Sequence, residues 1–156
     1  MPFTNTNDYT QGRAQPVTPA AGGNATMRYS QVVPAGDLAL NVIGHIGFLP
    51  AGTVPVEIRV DGTSGIGGAG AGVFSVGILN DAGTALSTAT ADGGGVWGTT
   101  GTAVAAAFDK TLTRTLNNMA NVQASSVDRR IGILVSTGVT TPAAGTISLT
   151  LIVRSV

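Results

Sequence analysis

Beyond the first 30 residues, the apolar side chains of this chain return at every second position. Leu38, Leu40 and Val42 lead into Ile46 and Phe48, and Val54, Val56, Ile58 and Val60 follow, then Phe74, Val76 and Ile78. Ile131, Ile133 and Val135 form a later run, and Ile147, Leu149, Leu151 and Val153 close the chain. A strand turns successive side chains to opposite faces, so this period builds half-buried sheets and not amphipathic helices. Helix-forming surface residues are also scarce: only 10% of the chain is charged, Glu57 is the sole glutamate, and 23 of 156 residues are glycine. The chain therefore reads as all-β.

Turn chemistry separates the runs. Leu-Pro-Ala-Gly at 49–52, Asp61-Gly62, Asn80-Asp81-Ala82-Gly83, Asp92-Gly93 and Pro142-Ala143-Ala144-Gly145 supply residues that tolerate positive φ or preset a bend. Their spacing predicts an antiparallel β-sandwich or barrel, jelly-roll or immunoglobulin-like, with strand order left open. The Asn80–Gly83 turn predicts a β-hairpin over residues 72–89. The expected core includes Leu40, Val42, Val56, Ile58, Phe74, Val76, Ile133, Leu149 and Leu151, with Phe48 also inside. Residues 103–124 fit either a strand or extended loop, favoured by Thr111, Thr113 and Thr115, or a short helix.

The opening MPFTNTNDYTQGRAQPVTPAAGGNAT has another character. It is rich in Thr, Asn, Gln, Pro, Gly and Ala, shows no apolar period, and cannot by itself bury enough surface to offset the entropy of ordering. Residues 1–30 are accordingly read as an extended arm and residues 31–156 as one β domain. An arm of this kind is expected to lie on a neighbouring chain. Its partner-binding residues are then Phe3 and Tyr9, the apolar anchors, with Arg13 and Arg28, its cations.

Charge and composition exclude several chemistries. Net charge is zero and the basic residues are scattered apart from Arg129-Arg130, so no basic stripe exists for nucleic acid. Cysteine is absent, which removes disulfides and thiolate chemistry. His45 is the single histidine and sits in a strand-like NVIGHIGF, so no metal site built on several histidines exists and His45 reads as structural or interfacial. No two of the eight carboxylates lie within three residues of each other, and Asp37, Asp61, Asp81, Asp92 and Asp128 fall at apparent turns. Gly65 to Gly70 spells GxGxxG, but a strand pattern follows where a phosphate-binding helix would be needed, so it reads as an inter-strand loop. No signal segment is visible and no apolar run approaches the roughly 20 residues of a membrane span. The expectation is a soluble protein that is no enzyme, with no cofactor, no metal, no nucleic acid and no membrane partner.

Residues 32–156 resemble small head-associated structural proteins of tailed bacteriophages, the capsid decoration or cement proteins. The resemblance is carried by VFSVGILNDAGTALSTATADGGGVW at 73–97, by Asp128-Arg129-Arg130-Ile131-Gly132-Ile133, and by the closing AAGTISLTLIVRSV at 143–156. It implies a virion protein made in the host cytoplasm that binds the major capsid protein on the capsid exterior, commonly as a trimer, and stabilises the shell by bridging its subunits. The sparse charge also points to a homo-oligomer. A tail, fibre or receptor-binding module touching host glycan through exposed rings or the loop at Gly65 to Gly72 is the alternative, and a small hydrolase a distant third.

Overall fold

The computed structural model describes residues 2–17, 19–20, 22–63, 66, 72–100, 107–113 and 118–156. Among the described residues eight strands are present: β1 Asn24–Val33, β2 Ile43–Leu49, β3 Thr53–Gly62, β4 Val73–Ile78, β5 Gly98–Thr99, β6 Phe108–Thr113, β7 Arg129–Thr137 and β8 Gly145–Ser155. They form two four-stranded sheets, β1-β8-β3-β6 and β2-β7-β4-β5, with every pairing antiparallel. First pairs with last, second with seventh, third with sixth and fourth with fifth, as in a long hairpin rolled up on itself. That nesting is the jelly-roll order, and it removes the immunoglobulin-like alternative. Among the described residues the only helical segments are short 3-10 turns, and no helix is long and apolar enough to cross a membrane.

The sandwich core follows the period-2 runs. Ile147, Leu149, Leu151 and Val153 of β8 meet Ile131, Ile133 and Val135 of β7 and Phe74, Val76 and Ile78 of β4 between the sheets. Trp97 is fully buried and donates its indole N–H to the Asp92 carbonyl at 2.7 Å, so this ring belongs to the core.

Of three register shifts among the described strands, one lies between Val73 and Phe74 against β7, and the other two displace expected core residues. In β3 the pairing with β8 skips Val56, which is half-buried instead of inside, while Ile58 and Val60 after the bulge face the core. In β2 it skips Ile46, so that Gly47 faces inward and Phe48 turns to the outer face, half-buried, with its ring edge-on to His45 at 4.7 Å. Phe48 is thus not a core residue. Leu40 lies before β2 begins and is 57% exposed. A straight period-2 reading through a bulge therefore puts Val56 and Phe48 on the wrong face.

The turn at Asn80–Gly83 forms as expected, closed by Gly83 N–H to the Asn80 carbonyl and Asn80 N–H to the Ala85 carbonyl. The hairpin over residues 72–89 is short, because beyond β4 only Leu79 and Leu86 make a bridge. Arg130 clamps this turn through the carbonyls of Asn80 and Asp81. Asp61 lies within β3, not at a turn, and pairs with Arg28. In the ambiguous 103–124 stretch the described residues give strand β6 and a 3-10 turn at Asn118–Asn121; residues 103–106 and 114–117 lie outside the described residues, as does most of the Gly65 to Gly70 motif.

Arg129 ties the long β4–β5 connection to the body. Its guanidinium, 12% exposed, meets the Asp92 carboxylate at 2.9 Å and also donates to the Ala91 and Gln123 carbonyls. Arg129→Met is expected to cost about 2 kcal/mol in urea unfolding, since it leaves the half-buried Asp92 carboxylate with the Ser87 hydroxyl but no cation and takes a charged donor from the Gln123 carbonyl. A loss below about 0.5 kcal/mol would show that the network behaves as an ordinary surface pair.

Candidate attachment site at the arm

The arm does not trail away from the domain. Pro2 forms a parallel bridge with Ile43, and the Phe3 N–H bonds the Ile43 carbonyl at 3.1 Å, so residues 2 and 3 extend the free edge of β2. The Phe3 ring is 8% exposed and lies against Gly44, where a methyl group would overlap it. Glycine is required here because the ring occupies the space of a side chain.

Polar contacts then fasten the segment across the open side of the sandwich, between the edges of β1 and β2. Thr4 donates its N–H and its hydroxyl to the Asp37 carboxylate at 2.7 and 2.9 Å. Gln31, buried on β1, donates to the Asn5 carbonyl at 2.6 Å, and Asn7 donates to the Ile46 carbonyl at 2.8 Å. Asp37 is 2% exposed, and a carboxylate so placed needs donors; its side-chain donors among the described residues both come from Thr4. Residues 7–14 fold into a compact hook, with Gln11 N–H on the Asn7 carbonyl and Arg13 and Ala14 N–H on the Asp8 carbonyl. The Tyr9 ring stands edge-on to Tyr29, centroids 4.6 Å apart.

Each residue assigned to partner binding therefore has a definite place. Phe3 is inside its own domain, and Tyr9 is half-buried against Tyr29. Arg13 is exposed and pairs with Asp8 at 3.1 Å. Arg28 belongs to β1, which begins at Asn24 and runs through the boundary expected at residue 30. On the outer face of its sheet Arg28 reaches Asp61 at 2.7 Å, and the Asp61 hydrogen bond, chiefly, holds the guanidinium above its ordinary value. Arg59 pairs with Asp109 on the same face; that hydrogen bond is the main cause holding the Asp109 carboxyl below its usual range.

Tyr29 anchors the seat from below. Its ring packs on Gly47 and its hydroxyl donates to the Phe48 carbonyl at 2.8 Å. Burial pushes this phenol above its usual range, so it stays a neutral donor. The signal that would have revealed the seat is in NVIGHIGF, where two glycines in an apolar strand mark places for large rings from elsewhere.

Beside the hook runs a polar groove of about 780 Å³, lined among others by Asn5, Asp8, Arg13, Arg28 and Ser30. The Ser155 N–H meets the Gly23 carbonyl at 3.1 Å, which makes the odd residues of β1 the hydrogen-bonded partners of β8. Backbone groups of Asn24, Thr26, Arg28 and Ser30 consequently point outward along an open edge, regular and free of bulges.

His45 lies on the outer face of β2 with Nε2 3.0 Å from the Gly47 carbonyl. Burial lowers its pKa below the ordinary 6.5. The unfolded chain then takes up this proton first, so the associated stability is complete above about pH 6.5 and is lost as pH falls through the lower folded value. His45→Gln is expected to flatten the decline of stability between about pH 6.5 and 5; an unchanged slope in urea titrations would assign the decline to other groups.

Among the described residues no three His, Cys, Asp or Glu side chains gather as a metal site. All seven aromatic rings are buried or half-buried.

No protein-family model matches the chain, and no curated protein matches it in sequence. Solved structures do. A chain of the capsid of Ralstonia phage GP4 is 26% identical, with a TM-score of 0.67, and the match covers 96% of both chains. A chain of the cyanophage Pam1 capsid asymmetric unit matches over the full length of both at 16% identity and a TM-score of 0.48, and one from the acid-stable capsid of Helicobacter pylori bacteriophage KHP30 matches at 11% and 0.41, covering 85% of this chain and 91% of that one; nothing is drawn from these looser likenesses. The chain is thus similar over nearly its whole length to a chain of a phage capsid, which bears out the resemblance to head-associated phage proteins that its sequence carries.

Proposed function

We propose that this chain is a virion structural protein that binds the outer surface of the capsid shell and stabilises it by bridging shell subunits. The likeness to a phage capsid chain over 96% of both lengths carries the reading. The arrangement of charge supports it: the described arginines at 13, 28, 59 and 129 are engaged in local ion pairs, which suits a static binding role better than catalysis or nucleic-acid binding.

The attachment surface we assign is the outer side of the arm together with the open edge of β1. Arg13 and Arg28 contribute exposed cations there, and Phe3 and Tyr9 hold that surface in position from beneath. An extended segment of the major capsid protein adding to the β1 edge would gain backbone hydrogen bonds, with the groove walls reading its side chains. A homotrimer would multiply such contacts, since bridging raises the effective concentration of each further one.

A glycan-binding tail or fibre role is less well supported, because none of the seven rings is fully exposed for stacking on sugar. Copy number separates the two. Quantitative mass spectrometry of purified virions is expected to find this chain in numbers comparable to the major capsid protein; a handful of copies per particle would overturn the reading in favour of a tail component.

A further inference from the structure

The body of the sandwich contains a slot shaped for a short peptide. Its floor is Gly44, whose missing side chain admits a ring. Asp37 and Gln31, each 2% exposed, stand at its sides as a buried acceptor and a buried amide. Residues 3–7 satisfy all three: Phe3 on the glycine, Thr4 on Asp37, Asn5 and Asn7 on Gln31. Without that peptide the slot leaves a carboxylate and an amide deprived of these partners and an apolar pocket open.

The tether between this peptide and the sandwich is built differently. From Gln15 to Gly22 it holds Pro16, Pro19 and Gly22, the last at φ +74°, and Val17 is 55% exposed. Among its described residues the hydrogen bond formed is local, Gly23 N–H to the Ala20 carbonyl. Eight residues extend to about 26 Å, a span on the scale of a small domain. The contacts that fix the arm lie at its tip, and none of them depends on the tether's path.

We propose that the slot is an exchange site whose second occupant is the arm of another copy of this chain. The same contacts made between copies link neighbours at no loss of burial, the only change being the path of the tether. This holds whether or not the shell is the chain's partner.

Absence of cysteine makes the test direct. Asn5 and Val32 are both exposed and adjacent, the Asn5 side chain donating to the Val32 carbonyl at 2.9 Å. Full-length Asn5→Cys and Val32→Cys chains, refolded together at high protein concentration, are treated with a short thiol–thiol crosslinker. Each carries one thiol, so any link joins two molecules. Exchange predicts a 5–32 heterodimer about tenfold above the dimer formed by either variant alone, and about tenfold less of it when the Asn5→Cys chain also carries Phe3→Ala. A chain carrying both cysteines should give a ladder of linked copies. Linking only within that chain, with no excess heterodimer in the mixture, overturns the proposal. Should a cysteine variant fail to fold, nuclear Overhauser contacts between Phe3 and Gly44 in a refolded mixture of differently isotope-labelled wild-type chains decide the same question: contacts across labels support exchange, and contacts within one label only refute it.

Discussion

Gly47→Ala is expected to be strongly damaging for a single added methyl, lowering stability by about 3 kcal/mol or more. The bulge at Ile46 turns Gly47 toward the core, where an added methyl would overlap the Tyr29 ring. That ring has nowhere to go: it is fully buried, its hydroxyl is held by the Phe48 carbonyl and lies 3.2 Å from the Met27 sulfur, and Tyr9 closes its edge. Gly44→Ala meets a different neighbour, because Phe3 sits on an arm that can leave its slot. The expected outcome there is arm release with the sandwich intact. Gly36→Ala, with open space around it and no left-handed backbone, is the neutral control. Urea unfolding of the three variants checks the order; a Gly47→Ala midpoint equal to that of Gly36→Ala would mean that Tyr29 is not seated as described.

The second large effect concerns attachment. Phe3→Ala combined with Tyr9→Ala is expected to leave a folded sandwich that binds capsids lacking the native protein more weakly by a few kcal/mol, a hundredfold or more in affinity. The loss acts indirectly. Both rings face the chain's own domain, so truncating them unseats the arm, strips Asp37 of Thr4 and disperses the surface that carries Arg13. Limited proteolysis within residues 15–22 should accelerate in parallel. If a chain lacking the arm decorates capsids as tightly as the full chain, the arm serves only to close the sandwich and the binding surface lies on the sheets.

The sheets were legible because burial on one face leaves a period-2 trace, and β8 and β7 keep that trace unbroken from Ile147 to Val153 and from Ile131 to Val135. β2 and β3 were harder. A bulge at Ile46 and another at Val56 shift the phase without leaving any residue type that announces it, so a straight period-2 pattern puts Phe48 and Val56 on the wrong side. Strand order is a long-range property that local pattern does not carry, and the jelly-roll nesting emerges only from the pairings. The seat of the arm was hidden for another reason. Its composition shows that it cannot order alone, but that inference is silent on which surface orders it; the complementary glycines in β2 carried the answer, and an unoccupied Cβ position in a strand is legible only when a ring is sought to fill it.

The most direct test of the account is a cryo-electron microscopy reconstruction of particles lacking this chain after the purified full-length protein has been added back. The account predicts jelly-roll density on the outer surface of the shell at regular positions, with the arm hook and the β1 edge against shell subunits. Density confined to the tail or the inner surface, or bare shells at saturating protein, would contradict it.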